Sequence, residues 1–339
     1  MKSKDDLRKQ RESKVIDEKS LITFLKNGKQ TVREMSKRFD VPIVTVQNTL
    51  SSLAEMKVMV RSDNGEYYID ESPEEGSRRT LNADMWQGDT LRYGFISDNH
   101  LGSNFERLEV NEALYDLFES EGIKTVFNGG NWIEGEARFN KNEIHVHGFG
   151  NQINYAVKHY PHREGIETWF ISGDDHEGWY NQREGINSGE YFQMMREKSG
   201  LFDLKHLGYV EADIDLNGGE FENPMWCRIV HPGGGSSYAH SYSVQKIIES
   251  YQGGEKPHIL MVGHYHKMSY NFVRGVYAVQ MGTTKDQDIF MRKKKLEAHI
   301  GGGIIEIRRA PDGIINRFRP EFITFFDKKF YIGKDKYWK

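Results

Sequence analysis

Along the first 70 residues the apolar positions recur first at helical and then at strand spacing. SLITFLKNG (20–28) gathers its apolar side chains on one face of a short helix closed by Gly28. In TVREMSKRF (31–39), Thr31 and Glu34 have the spacing of a capping box, and Val32, Met35 and Phe39 share a face. A third helix over 42–57 has Pro42 at its first position and a stripe of Ile43, Val46, Leu50 and Leu53. VMVRSDNGEYYID (58–70) reads as two strands about Asn64-Gly65, a pair suited to the positive φ angles of a tight hairpin. The next run is polar and predicts a linker over 73–90.

From residue 91 the pattern changes to apolar strands alternating with amphipathic helices. Strand candidates include LRYGFIS, KTVFN, ETWFIS, MWCRIV and HILMV. Helices are predicted over 104–120, 185–199 and 243–252, with a hairpin over 301–322 turning at Asp312-Gly313. This alternation predicts an α/β domain over 91–339, behind a small domain over 1–72.

Three helices followed by a hairpin resemble a winged helix-turn-helix domain. The outward face of the third helix would then present Thr45, Asn48 and Ser52, which can read base edges, together with Glu55, which repels phosphate. Contact with DNA and docking of a protein partner, including a second copy of the chain, both stay open for this face.

Composition narrows the picture only a little. The chain has 339 residues, 37% hydrophobic and 28% charged, in the range of an ordered globular protein. Without a run of about 18 apolar residues or a signal-peptide pattern, the expectation is a soluble, cytoplasmic protein away from membranes. A single cysteine, Cys227 within MWCRIV, excludes an intramolecular disulfide framework and reads as a buried thiol. Net charge is −4, yet residues 1–38 hold 12 Lys/Arg against 6 Asp/Glu, and residues 291–339 hold 13 against 6. The ends are basic and the middle is acidic.

The residues that carry chemistry stand just past the end of each strand. LRYGFIS leads to Asp98 and His100, KTVFN to Asn131, and ETWFIS to Asp174, Asp175, His176 and Glu177. MWCRIV runs into His231, and HILMV into His264 and His266. Carboxylates crowded at the end of a buried strand repel one another unless a positive charge compensates them. Side chains two apart on an extended segment point the same way, so D-x-H and H-x-H can each converge on one point. Five such pieces at strand ends form a nitrogen/oxygen site for divalent metals, with ligands enough for two ions.

The order D-x-H, G-[D/N], G-x-x-H-E, an isolated His and G-H-x-H resembles the calcineurin-like metallophosphoesterase superfamily over residues 91 to 285. The resemblance implies a β-sandwich flanked by helices and a dinuclear centre, with manganese foremost and iron or zinc otherwise. It implies that Asp98, His100 and His266 hold one metal and that His231 and His264 hold the other, where activated water attacks phosphorus. His176 would face the substrate, with Glu177 as its orienting partner. Two positions depart from the family pattern. Asn131 stands where the family has a bridging Asp, and Asp175 stands where it has a neutral Asn ligand. Either the two residues exchange roles, with Asp175 as the anionic bridge and Asn131 as the amide ligand, or the site is disabled.

The run HPGGGSS (231–237) could bring backbone amides to a phosphate, or simply form a turn. The segment 135–157 could roof the site, with Arg138 at the substrate phosphate and His145 and His147 as structural or substrate-facing residues. The basic ends, including RKKK at 292–295, and the resemblance to a winged helix favour a DNA nuclease similar to the repair exonucleases of this superfamily. That group carries its accessory segments after the catalytic domain, so an N-terminal module is a departure. The alternatives are a nucleotide or phosphoprotein phosphoesterase, and an inactive DNA-binding or scaffold protein.

Overall fold

The computed structural model describes residues 15–69, 78–82, 85–235, 237 and 239–325. The basic N-terminal tail, part of the predicted linker and the basic stretch after 325 lie outside these residues. Internal contacts divide the chain into two compact units, Met1–Ser72 with Tyr180–Tyr191, and Pro73–Trp179 with Phe192–Lys339. Among the described residues no helix is long and apolar enough to cross a membrane.

The first unit contains α1 (Glu18–Lys26), β1 (Gln30–Thr31), α2 (Val32–Phe39), α3 (Ile43–Glu55), β2 (Val60–Asp63) and β3 (Glu66–Ile69). The predicted capping box is present in both directions between Thr31 and Glu34. The hairpin turns at Asn64 and Gly65, with φ of 51° and 83°, and β3 lies between β1 and β2 in an antiparallel sheet. Leu21, Leu25, Met35, Val46 and Leu53 fill its core. The predicted stripe of α3 shifts at one place. Ile43 is 44% exposed, while Val41 just ahead of the helix and Thr49 within it are buried, the Thr49 hydroxyl donating to the Thr45 carbonyl. Residues 180–191 complete this unit from far along the chain, through Met59 N–H to the Gly185 carbonyl and Asn187 N–H to the Lys57 carbonyl, both 2.7 Å.

The second unit runs β4 (Arg78–Thr80), β5 (Trp86–Gln87), β6 (Thr90–Ile96), α4 (Leu108–Ser120), β7 (Thr125–Asn128), α5 (Phe149–His159) and β8 (Glu167–Ser172). Helices α6 (Gly178–Glu184) and α7 (Ser188–Lys198) lead into and out of the 180–191 segment. Next come β9 (Leu204–Tyr209), β10 (Glu211–Asp215), β11 (Trp226–Val230), α8 (Tyr242–Ser250), β12 (Ile259–Val262), β13 (Met268–Val273) and β14 (Val276–Met281). The last elements are α9 (Ile289–Lys294), β15 (Ile300–Arg309) and β16 (Ile315–Phe325).

One sheet has the order β16-β15-β6-β7-β8-β9, with β5 paired to β6, and β6 through β9 run parallel. The other has the order β13-β14-β12-β11-β10-β4. Within the stretch read as linker, β4 therefore joins a sheet, and the indole of Trp86 donates to the Leu216 carbonyl at 2.6 Å. Strands β7, β8 and β12 are buried along nearly their whole length because both faces of the sheets are covered there. Tyr93, Phe95 and Trp169 of one sheet meet Ile229, Met261 and Val279 of the other in a single core. Each such side chain contributes roughly 1.5–3 kcal/mol of burial. On the outer faces, the Phe118 ring of α4 closes on Gly94, and Val244 and Ile248 of α8 cluster with Leu260 and Val262. The result is the predicted layered α/β sandwich flanked by helices. Its two sheets end together at the carboxyl termini of β6, β7, β8, β11 and β12.

Candidate metal centre

Those five strand ends release the side chains singled out from sequence into short loops. Asp98, His100, Asn131, His176, His264 and His266 adopt φ between 51° and 74°, half of the twelve non-glycine residues with positive φ among those described. Such a conformation costs of order 1–3 kcal/mol per residue, and its concentration here marks a site the surrounding structure holds in place.

Two groups of ligand atoms result. In the first, Asp98 Oδ1 lies 3.4 Å from His266 Nε2 and 3.8 Å from His100 Nε2, and the two imidazole nitrogens are 3.1 Å apart. The other Asp98 oxygen accepts from the Ser97 hydroxyl and the His264 backbone N–H, which fixes the carboxylate. In the second, Asp175 Oδ1 lies 3.3 Å from His231 Nε2, and its Oδ2 lies 3.6 Å from His264 Nδ1. The opposite ring nitrogens donate to the Gly129 and Gly234 carbonyls, each at 2.6 Å, so both rings turn their free nitrogen toward Asp175.

Asn131 stands between the groups. Its Nδ2 donates to Asp98 Oδ1 at 3.3 Å, while its Oδ1 faces Gly173 beside His231. A Cβ on Gly173 would lie 2.6 Å from Asn131 Oδ1 and 3.0 Å from His231 Nε2, so only glycine leaves room there. Asp175 pairs with His231, His264 and His176, and the side chain in the middle position is Asn131.

Asn131 Oδ1, Asp175 Oδ1, His231 Nε2 and His264 Nδ1 are all buried without a hydrogen bond. An orphaned buried polar atom costs about 1–3 kcal/mol, so a cluster of them calls for a ligand. Oxygen and imidazole donors suit a divalent transition metal, and the residues present fit one. In each of three groups the ligand atoms lie within 4.8 Å of one another: Asp98–His100–His266, Asp175–His231–His264 and His100–Glu134–His176. Burial alone would raise the Asp98 carboxyl, yet the imidazoles of His100 and His266 hold it well below the usual range. Burial would lower His231, but the Asp175 carboxylate 3.3 Å from its Nε2 and the charge of Asp98 push it up to about 10.

His176 stands beside both groups. Its Nδ1 donates to the Glu134 carbonyl at 2.6 Å, its ring stacks on Trp179 at 4.7 Å, and it meets His100 edge-on. Burial and then the neighbouring His100 lower its pKa to about 4. Glu177 is not its orienting partner. That fully buried carboxylate accepts from the backbone N–H groups of Asn131 and Gly173, both at 2.8 Å, and so ties two ligand loops together.

Sequence reasoning missed Glu134, Lys285, Asp288 and Trp179. Glu134 Oε2 lies 3.0 Å from His100 Nδ1 and accepts from Lys285 Nζ at 2.9 Å, and Lys285, 1% exposed, also donates to Asp288 at 2.8 Å. The one available signal was GNWIEG, where an acid ends an apolar loop. Arg138 is exposed, one residue before Phe139, whose ring meets Trp179 edge-on. His145 pairs with Glu106, and His147 lies near Glu136. Gly234 of the HPGGGSS run accepts from His264 through its carbonyl. On α3, Asn48 is exposed, while Thr45 and Ser52 are half-buried, with the Ser52 hydroxyl 3.5 Å from Glu18. Cys227 is buried, which pushes its thiol pKa up, as expected of an inert thiol.

No family model matches the chain, and no curated protein matches it. Several solved structures resemble it at low identity. A novel archaeal phosphodiesterase is 13% identical, covers 69% of this chain and 100% of its own, and gives a TM-score of 0.36. A predicted phosphoesterase from Streptococcus pneumoniae is 13% identical over 69% of this chain and 90% of its own, with a TM-score of 0.32. Wild-type Vps29 from Entamoeba histolytica, complexed with zinc, is 14% identical over 70% of this chain and 100% of its own, also with a TM-score of 0.32.

Proposed function

We propose that this chain is a two-metal phosphodiesterase that hydrolyses DNA. The observation that carries the reading is the pair of ligand groups at the ends of two facing sheets, with orphaned buried donor atoms in the second and Asn131 between them. Asp98, His100 and His266 would hold one divalent ion, manganese foremost, and Asp175, His231 and His264 the other, with Asn131 shared. Such a pair supplies positive charge to a phosphodiester and lowers the pKa of a water.

The chain's own residues do the positioning. Glu134 holds His100 Nδ1, the Gly129 and Gly234 carbonyls hold His231 and His264, and Glu177 fixes the loops of Asn131 and Gly173. His176 is held through Nδ1, which leaves Nε2 for substrate. A phosphodiester brings negative charge beside that ring, which favours the protonated imidazole and a proton at Nε2 for the departing oxygen. DNA as the substrate draws support from the N-terminal unit, whose three helices and hairpin are similar to a winged helix, and from the basic ends of the chain.

Asn131 supports a second reading, a site that binds cations without turnover, because a neutral amide holds the middle position. One experiment separates them: manganese-dependent digestion of end-labelled single- and double-stranded DNA, beside an aryl phosphodiester. Under the proposal both are cleaved, and Asp175→Asn and His176→Ala abolish cleavage. Bound metal with neither substrate touched supports the non-catalytic site, and aryl diester turnover with intact DNA replaces the substrate.

A further inference from the structure

The chain leaves the metal centre at Lys285, whose Nζ binds Glu134 and Asp288. It returns at His299, whose backbone N–H donates to the His266 carbonyl at 2.8 Å. Between these roots runs α9, capped by Asp288, which accepts from Met291 N–H at 2.7 Å. The excursion is therefore tied at both ends to ligands of the first group, or to the side chain that holds one.

Its charges are unbalanced in a specific way. Asp286 pairs with Arg107 at 2.8 Å, Asp288 pairs with Lys285, and Glu297 lies 2.8 Å from His240 and 3.2 Å from His299. Each acid of the excursion thus has a basic partner. Arg292, Lys293, Lys294 and Lys295 are exposed, and none has an ion pair among the described residues. Beside them Ile289 and Phe290 are 45% and 51% exposed. Four uncompensated cations on a segment rooted at a phosphodiester-cleaving centre raise the local concentration of polyanions. An exposed aromatic ring among them offers a face on which a base can stack.

We propose that residues 286–299 form a track for a DNA strand, with Arg292, Lys293 and Lys294 on its phosphates and Phe290 under a base. The track binds the polymer outside the scissile bond, so it distinguishes DNA from a small diester. The proposal rests on the phosphodiesterase reading above.

The test compares the chain with a triple variant, Arg292→Gln, Lys293→Gln and Lys294→Gln, which removes the charges and keeps helix propensity at exposed positions. The probes are a fluorescently labelled single-stranded oligonucleotide for binding by anisotropy, the same oligonucleotide for cleavage, and an aryl phosphodiester. Between about 50 and 200 mM salt, the slope of log affinity against log salt should become shallower by roughly 2, about 0.7 per lost phosphate contact. DNA cleavage should fall at least tenfold at low salt while aryl diester turnover stays within twofold. Phe290→Ala should weaken oligonucleotide binding with the salt slope retained. An unchanged salt slope overturns the track, and so does an equal fall in both turnovers. If the wild-type chain binds DNA through these residues but hydrolyses neither substrate, the track stands and the catalytic reading fails. If it turns over the aryl diester and does not bind DNA, the track fails and the phosphodiesterase remains.

Discussion

At the scale of single residues, the centre depends on side chains placed so closely that small changes have definite consequences. Gly173 is one. A methyl group there meets Asn131 Oδ1 and His231 Nε2, so Gly173→Ala should cut bound manganese from two ions per chain toward one, read by elemental analysis after gel filtration. Two ions retained would show that the second group does not need that gap. Asn131 is another. Asn131→Asp adds a carboxylate beside Asp98, which should lower Tm without metal and enlarge the rise in Tm on adding manganese. An equal rise in both proteins would place Asn131 outside the coordination. Lys285 is buried with Glu134 and Asp288, and removing the partner of a buried charge costs about 3–5 kcal/mol. Lys285→Met should destabilise by that order in urea unfolding, with part of the loss recovered in Lys285→Met/Glu134→Gln. No recovery in the double variant would mean that the two side chains are not coupled.

At the scale of elements, each of β6, β7, β8, β11 and β12 does two things: it packs a core and releases a candidate metal-binding side chain just past its end. β8 buries Trp169 and Ile171 between the sheets, then opens into Gly173, Asp175 and His176. The helices behind it are held by an ion pair that no motif announces. Arg196 of α7 donates to Asp203, just before β9, at 3.0 and 2.8 Å. Burial would raise the Asp203 carboxyl above its ordinary 3.8, but Arg196 and His162 hold it below. With the folded value depressed, the stabilisation is complete above the unfolded value and is lost as pH falls through the folded one. The Tm gap between wild type and Asp203→Asn should therefore be widest near pH 6 and shrink toward about pH 2. A gap independent of pH would show that the carboxylate's charge contributes nothing.

At the scale of the whole α/β unit, the two ligand groups draw on both sheets: Asp98, Asn131 and Asp175 lie past strands of one, and His231, His264 and His266 past strands of the other. Cations bound there link the sheets at the open edge of the core. Manganese at about 100 times its dissociation constant should stabilise the fold by about 2.7 kcal/mol per site, and chelation should reverse this. Calorimetry with and without a chelator measures it, and an unchanged Tm would mean that the centre holds no metal tightly.

The sequence by itself determined the elements with strong local signals. The capping box at Thr31 and Glu34, the Asn64-Gly65 hairpin and the doubly covered strands β6, β7, β8, β11 and β12 all come from short-range sterics and hydrophobic period. The candidate metal-binding residues were legible because a D-x-H or H-x-H at the end of an apolar run is a local pattern. What the tertiary structure alone decided involves partners far apart in the chain. Lys285 meets Glu134 across 151 positions, and residues 180–191 fold back into the N-terminal unit. The middle place of Asn131 and the actual partners of Glu177 likewise emerge only when five loops are brought together. Local preference acts over a few residues, whereas which buried charges neutralise one another is set by packing, and packing has no period in the sequence.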